Sequence, residues 1–289
     1  MKYIYYPGCS LEGTAAEYNA STQATMKALG AELIELEDWT CCGASAADAT
    51  SYLLSMVLAA RNLALAEGMD GGTDIMVPCS ACYLNLRKVE DHVQQDAGLS
   101  DKINEALKEE GLAYSGGIKV RHFLDVVVND FDPEAIGRMV KNKLEGQKIA
   151  IYYGCQALRP YATYDDPEQP RSLEPLIKAL GAEVHPWTAG AKCCGAALMT
   201  TKKDAAMELT GGILKAAKGA DCIVTLCPMC EMNLEAFQKP VSKALEEDLE
   251  IPVLYLPQLL GAALGLSGED LKLNLNLALP DSFKERLIS

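Results

Sequence analysis

The chain is short of basic residues. It has 26 Lys and Arg against 40 Asp and Glu among 289 residues, a net charge of −14 at pH 7. Proteins that bind nucleic acid neutralise phosphates with clustered Lys and Arg, so this composition argues against a nucleic-acid partner. It also disfavours attachment to an anionic membrane surface. A small anionic ligand stays compatible with the composition, because such a ligand responds only to nearby side chains and backbone amides.

Long apolar runs are also missing. The most apolar stretch, residues 251–266, is too short to cross a bilayer and contains Pro252 and Pro257. The first residues include no long apolar segment of the kind a secretory signal has, and they lead directly to Cys9. We therefore expect no membrane span and a cytoplasmic location, where thiols stay reduced.

Cysteine, by contrast, is abundant. Ten of the eleven cysteines form two sets of five with the same spacing pattern. Each copy has a single cysteine, then Cys-Cys-Gly, then Cys-x-x-Cys. The first set is Cys9, Cys41, Cys42, Cys79 and Cys82, and the second set is Cys155, Cys193, Cys194, Cys227 and Cys230. In a reducing compartment such a pattern favours metal or redox chemistry over structural disulfides.

The spacing of the cysteines indicates an internal duplication. Cys155 lies 146 residues after Cys9, and Cys227 lies 148 residues after Cys79. Predicted strands alternate with predicted helices in both halves, which is typical of α/β proteins with parallel sheets. The sequence therefore predicts two similar Rossmann-like units, 1–146 and 147–289, with the boundary in the polar segment 132–147.

Every cysteine of the repeat follows a predicted strand. Ligands of α/β proteins collect beyond the carboxyl ends of the strands, so we expect each set of five at one rim of its sheet. Three local predictions accompany this one: a tight loop that presents Cys9, one long helix over 46–67, and an edge strand or partner contact over 271–277.

Five thiols per unit are more than a common metal site needs. A structural zinc takes four tetrahedral ligands, and a cubane iron–sulfur cluster also takes four. A fifth thiolate is either idle, a bridge between two irons, or a ligand of a cluster that is not a cubane. Ligand softness and count favour iron–sulfur chemistry over zinc and over thiol–disulfide exchange.

The remaining candidates have simpler interpretations. Cys222 lies in an apolar strand and is expected to be a core residue. His92, His122 and His185 are dispersed and are expected to be structural or solvent-facing. His185, which comes shortly before the second cysteine pair, is the one histidine that we consider as a residue lining a site.

The full pattern, Cys-x(31)-Cys-Cys-Gly-x(35)-Cys-x-x-Cys and then Cys-x(37)-Cys-Cys-Gly-x(31)-Cys-x-x-Cys, resembles the duplicated cysteine-rich CCG domain family. Within that family, the chain is similar to the B subunits of soluble heterodisulfide reductases over residues 2–265. The segments Tyr5-Tyr6-Pro7-Gly8-Cys9 and Gly154-Cys155-Gln156-Ala157-Leu158-Arg159-Pro160 carry the resemblance as well.

The resemblance implies a cofactor and a reaction. Each set of five cysteines would ligate one noncubane [4Fe-4S] cluster, as both metal ligands and cofactor-binding residues. The implied reaction is the reductive cleavage of the mixed disulfide of coenzyme M and coenzyme B (CoM-S-S-CoB) in methanogenesis. Because that substrate carries sulfonate, carboxylate and phosphate groups, Arg159 and Lys192 beside the cysteines are our candidate substrate-binding residues.

The resemblance also implies partner subunits. The chain has no ferredoxin-type Cys-x-x-Cys-x-x-Cys run, so electrons would come from an iron–sulfur subunit of the C type. A flavin-containing subunit of the A type would supply that subunit, and a hydrogenase or formate dehydrogenase module is a further candidate partner.

Two alternatives stay open at the level of the sequence. In the first, the chain is a CCG-type electron-transfer subunit of a lactate, glycolate or succinate oxidising complex and binds no disulfide. In the second, it is a zinc-stabilised interaction module. The predicted α/β cores are large enough to fold without metal, which weakens the case for structural zinc.

Overall fold

The computed structural model describes residues 1–44, 46–69 and 74–288, in which strands and helices alternate along the chain. The strands in these residues are β1 Lys2–Tyr5, β2 Glu32–Glu35, β3 Asp74–Val77, β4 Lys119–His122, β5 Lys148–Tyr152, β6 Glu183–Val184, β7 Cys222–Thr225 and β8 Val253–Tyr255.

The strands form two four-stranded sheets with the same topology. The first has the order β2-β1-β3-β4 and the second the order β6-β5-β7-β8. All of the paired strands are parallel. Apart from their first residues, β1 and β3 are buried, and β7 is buried throughout, as expected for parallel sheets covered on both faces. The predicted fold class, two similar α/β units with parallel sheets, is confirmed.

Helices connect the strands and cover the sheets. Those in the described residues are α1 Gly8–Glu12, α2 Ala16–Ala28, α3 Ala46–Thr50, α4 Tyr52–Glu67, α5 Ser80–Gln95, α6 Ala97–Leu107, α7 Phe123–Asp130, α8 Pro133–Met139, α9 Glu174–Ala179, α10 Lys203–Ala216, α11 Pro228–Ala236, α12 Gln238–Leu245, α13 Leu256–Ala263 and α14 Asp281–Ile288. Short 3₁₀ turns cover Lys108–Glu110, Ala196–Leu198 and Leu273–Leu275.

The prediction of one long helix over 46–67 is wrong, because the helix is divided at Ser51. This residue has an extended backbone (φ −158°, ψ 126°), and its side chain accepts a hydrogen bond from the Leu54 amide. Serine satisfies the free amides at the start of a helix in this way. The apolar pattern continues through the break, which is why periodicity alone did not reveal it.

The predicted loop at Cys9 is wrong, and so is the edge strand, one of the two alternatives for 271–277. The other alternative, a partner contact, stays a prediction. Cys9 lies within α1 rather than in a loop, and the amide of Gly13 closes that short helix on the Cys9 carbonyl at 3.1 Å. The described residues of 271–277 include no strand; they form a 3₁₀ turn in which Leu271 and Leu273 are buried. Of the four alternating leucines, Leu271 and Leu273 are buried, whereas Leu275 and Leu277 are exposed.

The segment predicted to be the boundary, 132–147, includes α8 and packs against the second unit. The amides of Lys141 and Asn142 donate to the Ala263 carbonyl, and the Leu144 amide donates to the Leu180 carbonyl. The domain limits 1–146 and 147–289 stay a prediction.

The two units share an apolar interface between α2 and α13. The rings of Tyr18 and Tyr255 stack with centroids 4.1 Å apart and planes 8° from parallel. The Thr25 hydroxyl donates to the Pro257 carbonyl at 2.9 Å. These contacts join residues more than 200 positions apart in the chain, and they fix how the two sheets face each other.

Candidate metal centre

The structure places the ten cysteines of the repeat after the strands, at the rims of the two sheets. All eleven are free thiols. Three cysteines of each set are buried, namely Cys42, Cys79 and Cys82, and Cys194, Cys227 and Cys230. The others face outward: Cys9, Cys41 and Cys193 are exposed, and Cys155 is partly exposed. Each set therefore has three cysteines in the protein interior and two that solvent or a ligand can reach.

Within each set, the thiols contact one another. Cys42 Sγ lies 3.3 Å from Cys82 Sγ, and Cys9 Sγ lies 3.8 Å from Cys41 Sγ. In the second set the corresponding Cys194–Cys230 distance is 3.5 Å, and the Cys155 and Cys193 thiols are hydrogen-bonded to each other. The structure thus brings together the thiols that the sequence pattern grouped.

The two sets also meet each other. The Cys79 thiol of the first set interacts with the Cys227 thiol of the second. Both residues are buried and follow the central strands β3 and β7. The ten thiols therefore form one continuous site across the interface of the units.

A tyrosine holds the segment before each cysteine pair in place. The Tyr6 hydroxyl donates to the Thr40 carbonyl at 2.7 Å, and the Tyr152 hydroxyl donates to the Lys192 carbonyl at 2.6 Å. Sequence reasoning did not single out these tyrosines as parts of the site. Their separation of 146 residues, equal to that of Cys9 and Cys155, is a signal that could have revealed them.

An asparagine holds the second cysteine of each pair. The side-chain amide of Asn85 donates to the Cys42 carbonyl at 3.0 Å, and that of Asn233 donates to the Cys194 carbonyl at 3.1 Å. These residues were also missed, although each lies three residues after the Cys-x-x-Cys of its unit. Buried carbonyls need a donor, and these amides provide it.

Glycine is required beside the buried thiols. Gly8 and Gly154 both have φ of +71°, a conformation that favours glycine. A Cβ atom on Gly8 would lie 3.0 Å from Cys82 Sγ, and one on Gly154 would lie 3.3 Å from Cys230 Sγ. The backbone therefore approaches the sulfur atoms more closely than a side chain would allow.

The glycine of each Cys-Cys-Gly motif directs its amide at sulfur. The Gly43 amide lies 3.5 Å from Cys41 Sγ, and the Gly195 amide lies 3.4 Å from Cys193 Sγ. Amide hydrogen bonds to sulfur stabilise a thiolate and tune iron–sulfur clusters.

Arg159 lies beside the second set. Its guanidinium donates to Glu168 Oε1 at 2.8 Å and to the Ala191 carbonyl at 2.5 Å. The hydrogen bond from the Cys155 thiol lowers the pKa of Cys193 to about 6, and the charge of Arg159 acts in the same direction. Lys192, the other candidate for substrate binding, is exposed next to Cys193.

The histidines are outside the thiol network. His92 Nδ1 lies 2.7 Å from the Tyr52 hydroxyl at the surface. His185 packs against Trp187 and lines a cavity of about 770 Å³ beside the second sheet. His122 is fully buried, and burial lowers its pKa to about 4. The structural interpretation of His92 and His122 is confirmed, and His185 faces a cavity rather than the thiols.

Cys222 is a core residue, as predicted. It is fully buried at the start of β7, and burial raises the pKa of its thiol. A buried free cysteine behaves as a small apolar side chain.

A buried acidic group behind the second set was not anticipated. Glu231, which follows Cys230, is 5% exposed and accepts a hydrogen bond from the Tyr255 hydroxyl at 3.3 Å. Burial, followed by the hydrogen bond with Glu235, raises the pKa of Glu231 to about 10. This carboxyl group is therefore protonated at neutral pH. A glutamate next to a cysteine gave no signal for it in the sequence.

The donor set fits iron–sulfur clusters. Thiolates are the soft ligands that iron–sulfur clusters require, and glycines let the backbone approach the buried thiols closely. Among the described residues, no three His, Cys, Asp or Glu side chains are grouped around a position for a single metal ion.

Comparison with known proteins agrees with the repeat. The family model of the CCG cysteine-rich domain matches the chain twice, at residues 3–87 and 149–235. The chain belongs to the CCG cysteine-rich domain family. The two matches confirm the duplication inferred from the cysteine spacing.

Two kinds of relative are similar to this CCG chain over nearly their whole length. The chain is 38% identical to the 8-methylmenaquinol:fumarate reductase membrane anchor subunit of Wolinella succinogenes, over 96% of each chain. It is 30% identical to the B subunit of the ferredoxin/F420H2-dependent CoB-CoM heterodisulfide reductase of Methanosarcina acetivorans, over 95% of this chain and 93% of that one. It is 31% identical to a protein of Archaeoglobus profundus described as like the heterodisulfide reductase B subunit, over 93% and 92%.

A solved structure shares the CCG fold. A hypothetical protein from Helicobacter pylori superposes with a TM-score of 0.76 at 16% identity, over 95% of this chain and 52% of that protein. This chain therefore spans about half of that protein, and the likeness concerns the fold alone. In the described part of the CCG chain, no helix is both long and apolar enough to cross a bilayer.

Proposed function

We propose that this CCG chain is the catalytic subunit of a multi-subunit reductase and that it cleaves a small disulfide into two thiols. The heterodisulfide CoM-S-S-CoB of methanogenesis is the first substrate to test. The observation that carries the proposal is the contact of Cys79 with Cys227, which joins the two sets of thiols at one place. Cleavage of a disulfide consumes two electrons and two protons, and two adjacent one-electron centres suit that stoichiometry.

The ligands divide between the two units. One noncubane [4Fe-4S] cluster would be held by each set, and the two together would supply the two electrons when bound. The first set is Cys9, Cys41, Cys42, Cys79 and Cys82; the second is Cys155, Cys193, Cys194, Cys227 and Cys230. The outward-facing Cys9, Cys41 and Cys193 mark the side from which a substrate reaches the site.

Cationic side chains on that side would bind an anionic substrate. The Arg159 guanidinium is held near Cys193 by the Ala191 carbonyl and by Glu168, and its side chain is 34% exposed. Lys192 adds a second, exposed cation next to the same cysteine. Charge-assisted hydrogen bonds from such groups orient sulfonate, carboxylate or phosphate.

Partner subunits complete the proposal. We infer an iron–sulfur donor subunit of the C type and a flavin subunit of the A type, with a hydrogenase or formate dehydrogenase module as a further partner. Two of the relatives named above are subunits of reductases, which supports assembly into a complex. The cytoplasm, which keeps thiols reduced, stays our predicted location.

A second candidate function has its own support. The relative at 38% identity is named for an 8-methylmenaquinol:fumarate reductase, not for a heterodisulfide reductase. In that case the chain would transfer electrons within a succinate- or fumarate-type complex, or a lactate or glycolate oxidising one, and would bind no disulfide. Both candidate functions require the same ten ligands. They differ in whether the chain binds and cleaves a disulfide, so a test of disulfide binding distinguishes them.

The deciding experiment is anaerobic iron and sulfide analysis of the isolated complex, followed by electron paramagnetic resonance with coenzyme M or coenzyme B under oxidising conditions. Disulfide chemistry predicts iron and sulfide for two clusters and a new signal that depends on the added thiol. Full clusters without a thiol-dependent signal, together with turnover of fumarate by the complex, would establish electron transfer instead. A colourless preparation containing zinc contradicts both candidates.

A further inference from the structure

Tyr18 lies where the two units and the two sets of thiols meet. It is fully buried in α2. Its hydroxyl lies 3.0 Å from the Pro78 carbonyl and 3.1 Å from the Leu226 carbonyl, so that one donor is shared between two acceptors. Pro78 immediately precedes Cys79, and Leu226 immediately precedes Cys227. One hydroxyl therefore links the backbones that carry the two contacting cysteines.

A second link crosses the same interface. The Leu124 amide donates to His122 Nδ1 at 3.1 Å, so the neutral ring carries its proton on Nε2. This nitrogen faces Ser80 Oγ at 3.1 Å, and the Ser80 hydroxyl donates onward to the Leu226 carbonyl at 3.2 Å. Because the Leu226 carbonyl can only accept, the Ser80 hydroxyl donates to it and accepts from His122 Nε2. Ser80 thus reinforces the attachment of Leu226 to the first unit.

The ring of Tyr18 has little freedom to move. It stacks on Tyr255 with centroids 4.1 Å apart, and the Tyr255 hydroxyl is in turn bonded to the buried Glu231. A buried side chain stacked on one face and bonded at its tip has a single well-defined position. Such a side chain can set a distance between two backbone segments.

We propose that Tyr18 is a positioning residue that sets the separation of the two iron–sulfur clusters by holding the Cys79 and Cys227 backbones together. The inference rests on the proposed function, because it requires that both clusters are present. It does not depend on which substrate the protein uses. It applies equally to disulfide cleavage and to electron transfer, since both depend on the distance between the two clusters. The Ser80–Leu226 hydrogen bond supports the same separation from the other side.

The repeat offers a matched control. Tyr164 stands 146 residues after Tyr18, the same separation as that of Cys9 and Cys155. Its hydroxyl donates to the Ala157 carbonyl of its own unit, and its ring lies near Tyr83. Tyr164 is therefore a tyrosine at the same offset in the repeat whose hydroxyl bonds within its own unit instead of bridging the units.

The variants Tyr18→Phe and Tyr164→Phe test the proposal in the assembled complex. Tyr18→Phe is expected to fold, because the variant keeps the stacked ring and the Leu226 carbonyl keeps the hydrogen bond from Ser80. The measurements are iron and sulfide content, the midpoint potentials of the two clusters, and the magnetic coupling between the clusters by electron paramagnetic resonance. Magnetic dipolar coupling falls with the cube of the separation and so reports distance directly.

We expect both variants to keep wild-type iron and sulfide, with weaker or broadened coupling and shifted potentials in Tyr18→Phe alone. Unchanged coupling in Tyr18→Phe, or an equal change in Tyr164→Phe, overturns the proposal. If Tyr18→Phe loses its clusters, Ser80→Ala provides the same test, and wild-type coupling in Ser80→Ala then counts against the proposal. A wild-type complex without clusters overturns the proposed function as well, which distinguishes the two failures.

Discussion

The cysteine sites of the two units are alike around their buried cysteines, which we call the inner parts. They differ around their exposed or partly exposed cysteines, which we call the outer parts. In both, a tyrosine and an asparagine bond the carbonyls around the cysteine pair. The outer parts differ most near the first cysteine of each set. Cys9 lies in α1 and is followed by the 13-residue α2, whereas Cys155 lies outside the helices and the next one, α9, has six residues.

This difference changes the electrostatics of the two sites. Arg159 lies four residues after Cys155, and the residue four positions after Cys9 is Gly13. A cation therefore acts on Cys193, and it helps to lower the pKa of that thiol, while the corresponding position in the first unit has no side chain. The buried cysteines and the side chains that hold them are therefore alike in the two units. The segments after Cys9 and Cys155 differ, and only the second carries a cation beside its thiols.

The buried ligands should show the strongest effect. Cys42→Ala and Cys194→Ala each remove one thiol from equivalent buried positions, so each variant should lose about half of its iron and sulfide. Iron and sulfide analysis under anaerobic conditions measures this. Cys222→Ala, which removes a buried thiol outside both sets, should keep all of its iron. Complete loss of iron in only one of the two ligand variants would show that the sites are not equivalent.

The next effect concerns the glycines next to sulfur. Gly8→Ala should cost about 1–2 kcal/mol for the left-handed backbone, and more because its Cβ would lie 3.0 Å from Cys82 Sγ. Gly154→Ala should cost less than Gly8→Ala, since the corresponding distance to Cys230 Sγ is 3.3 Å. Thermal unfolding and iron content are the measurements.

Gly30→Ala is the control for backbone strain. Gly30 has φ of +77°, and a Cβ atom on it would meet nothing within 4 Å, so its replacement carries the backbone cost alone. Iron content should be normal in Gly30→Ala and reduced in Gly8→Ala. Equal iron content in the two variants would show that contact with Cys82 is unimportant.

A smaller effect should distinguish the two outer parts. Arg159→Ala should raise the KM for an anionic substrate about ten-fold or more, since a hydrogen bond to a charged group contributes about 1.5–3 kcal/mol. Iron content should not change, because Arg159 is not a ligand. Steady-state kinetics of the complex provide the measurement. Lys178→Ala removes an exposed cation paired with Glu174 in the same unit and serves as the control. An unaltered KM in Arg159→Ala removes this residue from the substrate site.

The weakest effect concerns the helices that follow the cysteine pairs. Ser51 caps α4, whereas Lys202 at the start of α10 makes no side-chain capping hydrogen bond. Ser51→Ala should therefore lower the free energy of unfolding by about 1 kcal/mol. Lys202→Ser should raise it by up to about 1 kcal/mol. Thermal unfolding of the loaded protein tests both variants, and a stabilising Ser51→Ala would contradict the assigned cap.

Much of the architecture was predictable because it depends on local pattern. The strands around Ile4, Ile75, Ile149 and Val224 are short apolar runs between helices, and such runs predict parallel strands wherever they occur. The errors arose where the apolar periodicity or alternation of the sequence did not match the local backbone structure. Ser51 divided a periodic helix by capping its second part, and the alternating leucines of 271–277 lie around a 3₁₀ turn instead of in a strand.

The ten candidate ligands, the duplication and the family could all be identified from residue order alone, because repeated spacing is a one-dimensional signal. Three features became visible only in the folded chain: Cys79 contacts Cys227, Tyr18 bridges the two units, and Arg159 acts on Cys193. The physical reason is that these contacts join residues 34 to 208 positions apart in the chain. The first two depend on how the two units pack along α2 and α13, and the third depends on how the loops after β5 and β6 fold together.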